Sequence, residues 1–136
     1  MERYLVDTHI ALFWMFEDDE LEQDVQEILN DCGALIYIST VSVQEMMHLR
    51  KRNKIQFEKN PEELLKKLRL TNMQLLPVKW EHLETYARLS MPDGHNDPSD
   101  HLIISQAITE KMRLVSSDHW FRKYTKQKLE LLFNNR

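Results

Sequence analysis

Five short, largely apolar runs are spaced along the chain: RYLV (Arg3–Val6), ALIYIS (Ala34–Ser39), MQLLPV (Met73–Val78), RLVS (Arg113–Ser116) and LELLF (Leu129–Phe133). Runs of this length and composition favour strands. The stretches between them carry helical periodicity. HIALFWMF follows the first run, a second helix is predicted from about Leu21 to Asp31, and a third opens at Ser42 with Val43, Met46, Met47 and Leu49 as its buried side. Asn60-Pro61 starts a fourth helix that reaches about Thr71. KWEHLETYARLS forms a fifth, burying Trp80, Leu83, Tyr86 or Ala87, and Leu89. DPSDHLIISQAITEK gives a sixth, and Asp118–Tyr124 a short last one. Strands joined by helix-length connections make βαβ units. The predicted class is therefore α/β, a mainly parallel central sheet of about four to five strands with helices on both faces. Pro77 cannot donate to a ladder, so the third run belongs at an edge or a strand end. At 136 residues the chain is read as a single domain, 1–136.

Composition removes several functional classes. With only Gly33 and Gly94 as glycines, neither a phosphate-binding P-loop nor a dinucleotide fingerprint can be written. One cysteine, Cys32, excludes an internal disulfide framework, fits a reducing compartment and reads as a small buried residue. No apolar run approaches the roughly 20 residues of a membrane span and no signal peptide is seen, so the expected location is cytoplasmic. The net charge of −4 means that nucleic-acid binding would need a local basic patch.

The informative residues are acids. Ligands of parallel sheets bind beyond the carboxyl ends of the strands. Asp7 follows the first strand and Asp118 follows RLVSS; Glu45 falls in the first turn of the helix after ALIYIS, and Asp100 in the first turn of its own helix. Each has a local explanation. Asp7 and Asp118 suit N-caps, Ser42-Val43-Gln44-Glu45 matches a capping box, and Asp97-Pro98-Ser99-Asp100 reads as N-cap, first helical residue and N3 acid. Capping accounts for each singly without requiring them to meet. If they do meet, mutual repulsion calls for protons or a hard divalent cation. Such a cation also activates water for phosphoryl displacement.

In LVDTHIALFW, ISTVSVQEM, HNDPSDHLIISQA and RLVSSDHWF, which together span most of Tyr4–Tyr124, the chain resembles the PIN-domain ribonucleases, most closely the VapC-like toxins of toxin–antitoxin pairs. The resemblance implies an acidic quartet at Asp7, Glu45, Asp100 and Asp118, with Asp97 as an additional metal-site acid and Ser116 supporting the site by hydrogen bonding. It also implies Mg²⁺- or Mn²⁺-dependent endoribonuclease activity leaving 5′-phosphate and 3′-hydroxyl ends, a homodimer, and inhibition by a small antitoxin covering the site. Ser99 and His101 stand where the subgroup carries Phe and Arg, and a histidine replaces the arginine's phosphate-pairing capacity only in part.

For the RNA backbone, the residues singled out are Arg50, Lys51, Arg52 and Lys54, with Arg122, Lys123, Lys126 and Lys128 as a second cluster; a solvated helix end explains the first as simply and the second more simply. His9 and His119 adjoin proposed ligands and suit supporting roles, and His95 could brace the Asp97 loop. Phe13, Trp14, Phe16, Met46 and Met47 read as core or dimer surface. Two other chemistries fall away. The single E-x-x-H at Glu45–His48 lacks the partner motif of a di-iron bundle, and Asp7-Thr8-His9 lacks the second acid of an aspartate-nucleophile phosphatase. The alternative that survives is a non-catalytic PIN module that binds nucleic acid or protein.

Overall fold

The computed structural model describes residues 2–51 and 60–135. Five strands form one sheet: β1 (Arg3–Val6), β2 (Leu35–Ser39), β3 (Gln74–Leu76), β4 (Arg113–Ser116) and β5 (Glu130–Phe133). Their order is β3-β2-β1-β4-β5, and every neighbouring pair is parallel. The α/β reading holds, with five strands. β3 lies at the edge and ends just before Pro77, as a proline without a ladder N–H requires.

Alternation along the strands builds two cores. Tyr4 and Val6 face one side with Ile36, Ile38 and Val115, while Leu5 faces the other with Leu114 and Leu76. The first face is covered by α1 (Thr8–Met15), α2 (Gln23–Leu29), α3 (Thr40–Lys51) and α4 (Pro61–Arg69), through Ile10, Val25, Leu29, Met46, Leu64 and Leu68. The second is covered by α6 (Pro98–Glu110) and by a 3₁₀ helix, His119–Gln127, through Ile103, Ile104, Ala107, Phe121 and Tyr124. α5 (Trp80–Arg88) packs outside α6. Burial on both faces is what makes the strands continuous apolar runs.

Four expectations are corrected. α3 begins at Thr40, not Ser42. Ser39 Oγ accepts from the Val41 N–H at 3.0 Å and does the turning, so Ser42 lies inside the helix and Glu45 falls in its second turn. α2 is shorter than Leu21–Asp31, because Asn134 Oδ1 holds the Glu22 N–H at 2.7 Å outside the helical ladder. α5 is rotated from its predicted face: Trp80 is 80% exposed and Leu83 43%, whereas His82 is fully buried. A polar seam causes this. His82 Nδ1 accepts from the Lys79 N–H, His82 Nε2 meets Glu110 at 2.7 Å, and Thr85 bonds Thr109 at 2.6 Å. Cys32, finally, is exposed, in the turn between α2 and β2.

Of the bulky residues near the start of the chain, Met46 is fully buried; Phe13, Trp14 and Met47 are partly buried against the first core, and Phe16 is 39% exposed. Among the described residues no helix is long and apolar enough to cross a membrane.

Candidate functional site

The chain leaves β1 outward on one side of the sheet and returns to add β4 on the other, so the topological switch lies between the carboxyl ends of β1 and β4. Parallel α/β sheets place their ligand clefts there. A cleft of about 660 Å³ opens at that point, lined by Asp7, Glu45, Asp97, Asp100 and Asp118 together with Thr8, His9, Ile103, Ser117, His119, Trp120, Phe133 and Asn135. Acids from four separated stretches of sequence converge on it. Among the described residues, no lysine or arginine forms an ion pair with any of the five; the one basic side chain bonded to them is the imidazole of His95, at Asp100.

Three of the acids are fixed by the helix they start, and Asp7 also by a neighbouring hydroxyl. Asp7 caps α1, its Oδ1 accepting from the Ile10 N–H at 2.9 Å, while its Oδ2 accepts from Ser116 Oγ at 2.6 Å. Ser116 Oγ in turn accepts from the Asp118 N–H at 3.0 Å, so one buried hydroxyl ties the ends of β1 and β4 together. Asp118 caps the 3₁₀ helix through the Trp120 N–H at 2.9 Å. Asp97 caps α6 by accepting from the N–H groups of Ser99 and Asp100, with Pro98 at the first helical position as expected. Capping and convergence therefore coexist, because a cap occupies one carboxylate oxygen and sets the direction of the other.

Asp100 has a partner that sequence reasoning placed elsewhere. His95 Nε2 lies 3.2 Å from Asp100 Oδ2, and His95 Nδ1 lies 2.6 Å from the hydroxyl of Tyr124. The imidazole is buried and stacks on Trp120, with centroids 5.0 Å apart and planes 5° from parallel. His95 thus braces Asp100, rather than the Asp97 loop. His101 was the stand-in for a phosphate-pairing arginine. It is 3% exposed, does not line the cleft, and packs edge-on against His95 at 4.6 Å. That substitution therefore carries no arginine-like function. His9 and His119 do line the cleft, both exposed.

Electrostatics follow from this crowding. Burial, then Asp97, Asp118, Glu45 and Asp7, push the Asp100 carboxyl up to about 8. Burial also raises Asp7, and Asp118 adds to the rise, against the lowering pull of Ser116, the Ile10 N–H and His9. His95 is lowered, chiefly by burial and then by His101.

The donor set is all oxygen, which suits a hard divalent cation and not a thiolate- or imidazole-preferring one. Among the described residues no three Asp, Glu, His or Cys side chains are grouped so that together they would hold a metal ion. Mg²⁺ commonly needs only one or two carboxylates alongside water and substrate phosphate, so an open acidic cleft fits it. Of the basic candidates, Arg50 and Lys51 lie in the last turn of α3 and do not line the cleft; Arg52 and Lys54 lie outside the described residues.

The sequence matches the PIN domain family over residues 4–127. No curated protein matches the chain in sequence. Among solved structures, the chain is similar to one in VapBC2 from Rickettsia felis bound to a DNA fragment from their promoter, with 20% identity, a TM-score of 0.68 and coverage of 96% of this chain and 98% of that one. It is similar also to a chain of DNA-bound VapBC from Salmonella typhimurium (14%, TM-score 0.71, 98% of each chain). A third is VapBC-5, a member of the VapBC family of toxin-antitoxin systems from Mycobacterium tuberculosis (15%, TM-score 0.67, 98% of this chain and 99% of that one). At such identities the likeness is one of fold.

Proposed function

The chain belongs to the PIN-domain family, and from that premise we propose that it is a Mg²⁺- or Mn²⁺-dependent endoribonuclease, the toxin of a toxin–antitoxin pair. One observation carries the reading: five carboxylates line a single cleft at the switch point with no lysine or arginine pairing them among the described residues. So many unpaired acids are tolerated together only with protons or a doubly charged ion.

Asp7, Asp100 and Asp118 are the residues to hold that ion, with Asp97 supporting from the start of α6. A bound divalent ion acidifies water and offsets charge on phosphoryl oxygens. Glu45, from the second turn of α3, orients the attacking water or a second ion. Ser116 keeps Asp7 and Asp118 in register, and His9 sits close enough to Asp7 to favour its ionised form. Hydrolysis then adds water across one phosphodiester: its oxygen bonds to phosphorus, the bond to the 3′ oxygen breaks, and that oxygen leaves with a proton. The products carry 5′-phosphate and 3′-hydroxyl ends.

The partners proposed are RNA as substrate, a second copy of the chain, and a small antitoxin that covers the cleft. The similar M. tuberculosis protein comes from a toxin-antitoxin system, which supports the last. Mass measurement in solution checks the dimer.

The direct test is RNA cleavage by purified protein. Cleavage is expected with Mg²⁺ or Mn²⁺, to stop in EDTA, and to fall by about two to three orders of magnitude in Asp7→Asn, whose amide oxygen still caps α1. Cleavage that continues in EDTA, or survives Asp7→Asn, rejects the mechanism. RNA binding without any cleavage would instead favour the non-catalytic module.

A further inference from the structure

An acid-lined cleft repels its own substrate. A nucleic-acid strand is charged at every phosphate, and the mouth it must enter carries Asp7, Glu45, Asp97, Asp100 and Asp118. Cations held at the rim would offset that repulsion, and the 3₁₀ helix supplies them. With three residues per turn, side chains at i and i+3 share an edge of such a helix. Phe121 and Tyr124 form the buried edge. His119 and Arg122 share the next, and both meet Phe133: the His119 ring at 5.1 Å between centroids, the Arg122 guanidinium at 3.8 Å from the ring centre. Trp120 and Lys123 share the third, with the Lys123 ammonium 4.9 Å from the Trp120 ring.

Phe133 and Trp120 both line the cleft, as does Asn135, whose Oδ1 accepts from Arg122 Nη2 at 3.4 Å. Two exposed cations, which do not themselves line the cleft, are therefore held against two of its lining rings, which restricts their reach while leaving the charge in solvent. At about 2 Å rise per residue, Arg122 lies roughly 8 Å along the helix from Asp118, within a side chain's reach of the adjoining backbone.

We propose that Arg122 and Lys123 form a backbone-phosphate subsite that holds single-stranded RNA beside the bond being cut. The assignment rests on the nuclease reading of the cleft. A cleft of about 660 Å³ is the size of a small-molecule pocket and takes a nucleotide or two of an open strand, not a duplex.

The test is binding of a labelled single-stranded RNA of mixed sequence by fluorescence anisotropy, in EDTA so that no strand is cut, across a salt series. Each phosphate contact on a single strand contributes about 0.7 to the slope of log affinity against log salt. Arg122→Ala and Lys123→Ala should each flatten the slope by about 0.7, and the double variant by about 1.4, with affinity several-fold weaker at low salt. Arg122→Lys should retain most of the slope, since it keeps the charge. Unchanged slopes overturn the subsite, and so does a wild type that does not bind RNA. Displacement of the RNA by polyglutamate at equal charge concentration would assign the rim to an acidic protein and overturn it as well. Wild type that binds with the expected slope but never cleaves leaves the subsite standing and removes the nuclease reading; cleavage with slopes untouched by either alanine variant does the reverse. Both side chains are exposed, so melting temperatures should match; were the double variant to unfold, the single variants decide.

Discussion

Asp100→Asn is expected to abolish most RNA cleavage while making the metal-free protein more stable at neutral and alkaline pH. The loss of rate should be about 10²–10³-fold, roughly 3–4 kcal/mol of transition-state stabilisation, because a group that holds the charged centre in place is gone. The gain in stability comes from the same residue. Asp100 is raised from 3.8 to about 8, first by burial and then by the four acids around it. A carboxyl whose folded pKa exceeds its unfolded one keeps its proton longer in the native state, so the native state binds more protons between those two values and stability falls as pH rises. Below pH ~4 the carboxyl is protonated in both states and costs nothing. The cost grows from there to about pH 8 and is constant above it. Asparagine carries no such cost and still offers an oxygen to His95. In urea unfolding with EDTA present, variant minus wild type should therefore start near zero at pH 4, increase through neutrality and level off above pH 8. A flat difference across that range would mean that neither burial nor the neighbouring acids disfavour the Asp100 carboxylate in the folded protein.

The second large effect belongs to His95. The His95→Phe variant should lose about 2–3 kcal/mol of stability and cleave RNA 10- to 100-fold more slowly. Phenylalanine fills the space and preserves the stack on Trp120, so the loss is polar in origin. The Tyr124 hydroxyl, on a residue with no solvent exposure, loses its 2.6 Å partner, and Asp100 loses the group that orients it. Tyr124 is itself pushed up to about 12, by burial and then by Asp100 and Tyr86, so it stays protonated as a donor to His95 Nδ1. That leaves His95 Nε2–H facing the Asp100 carboxyl, to which it donates. Adding Tyr124→Phe to His95→Phe should return much of the stability, since removing both buried partners costs less than orphaning one, but none of the cleavage rate. Equal recovery of both would reduce His95 to a packing residue.

These two residues also mark how far the sequence could be read. The sheet was legible because the three inner strands β1, β2 and β4 are largely buried and therefore mostly apolar, and because the connections between strands are helix-length. The acids were legible for a related reason. Asp7 directly follows β1 and Asp118 lies two residues past β4, the strands flanking the switch point, and a strand end fixes position better than any side-chain pattern.

What was hidden depended on contacts distant in sequence. His95 stands two residues from Asp97 but bonds Asp100 and Tyr124, and nothing local distinguishes those partners. The face of α5 was misread because apolar periodicity pointed to Trp80 and Leu83, whereas the buried His82, bonded to a part-exposed Glu110, sets the rotation of the helix. Ser42-Val43-Gln44-Glu45 matched a capping box in text, yet Ser39 turns the chain three residues earlier. Arg122 and Lys123 belonged to the second candidate cluster, which a solvated helix end explained more simply. Only the rings of Phe133 and Trp120, brought alongside by β5 and the 3₁₀ helix, give those charges a place at the cleft.

The most direct measurement is Mn²⁺ binding followed by electron paramagnetic resonance, comparing the wild type with Asp7→Asn and Asp100→Asn. Saturable loss of the free Mn²⁺ signal in the wild type, weakened at least tenfold in each variant, is the result expected of acids assembled around a common ion. Mn²⁺ taken up equally by all three proteins, or by none of them, would contradict it.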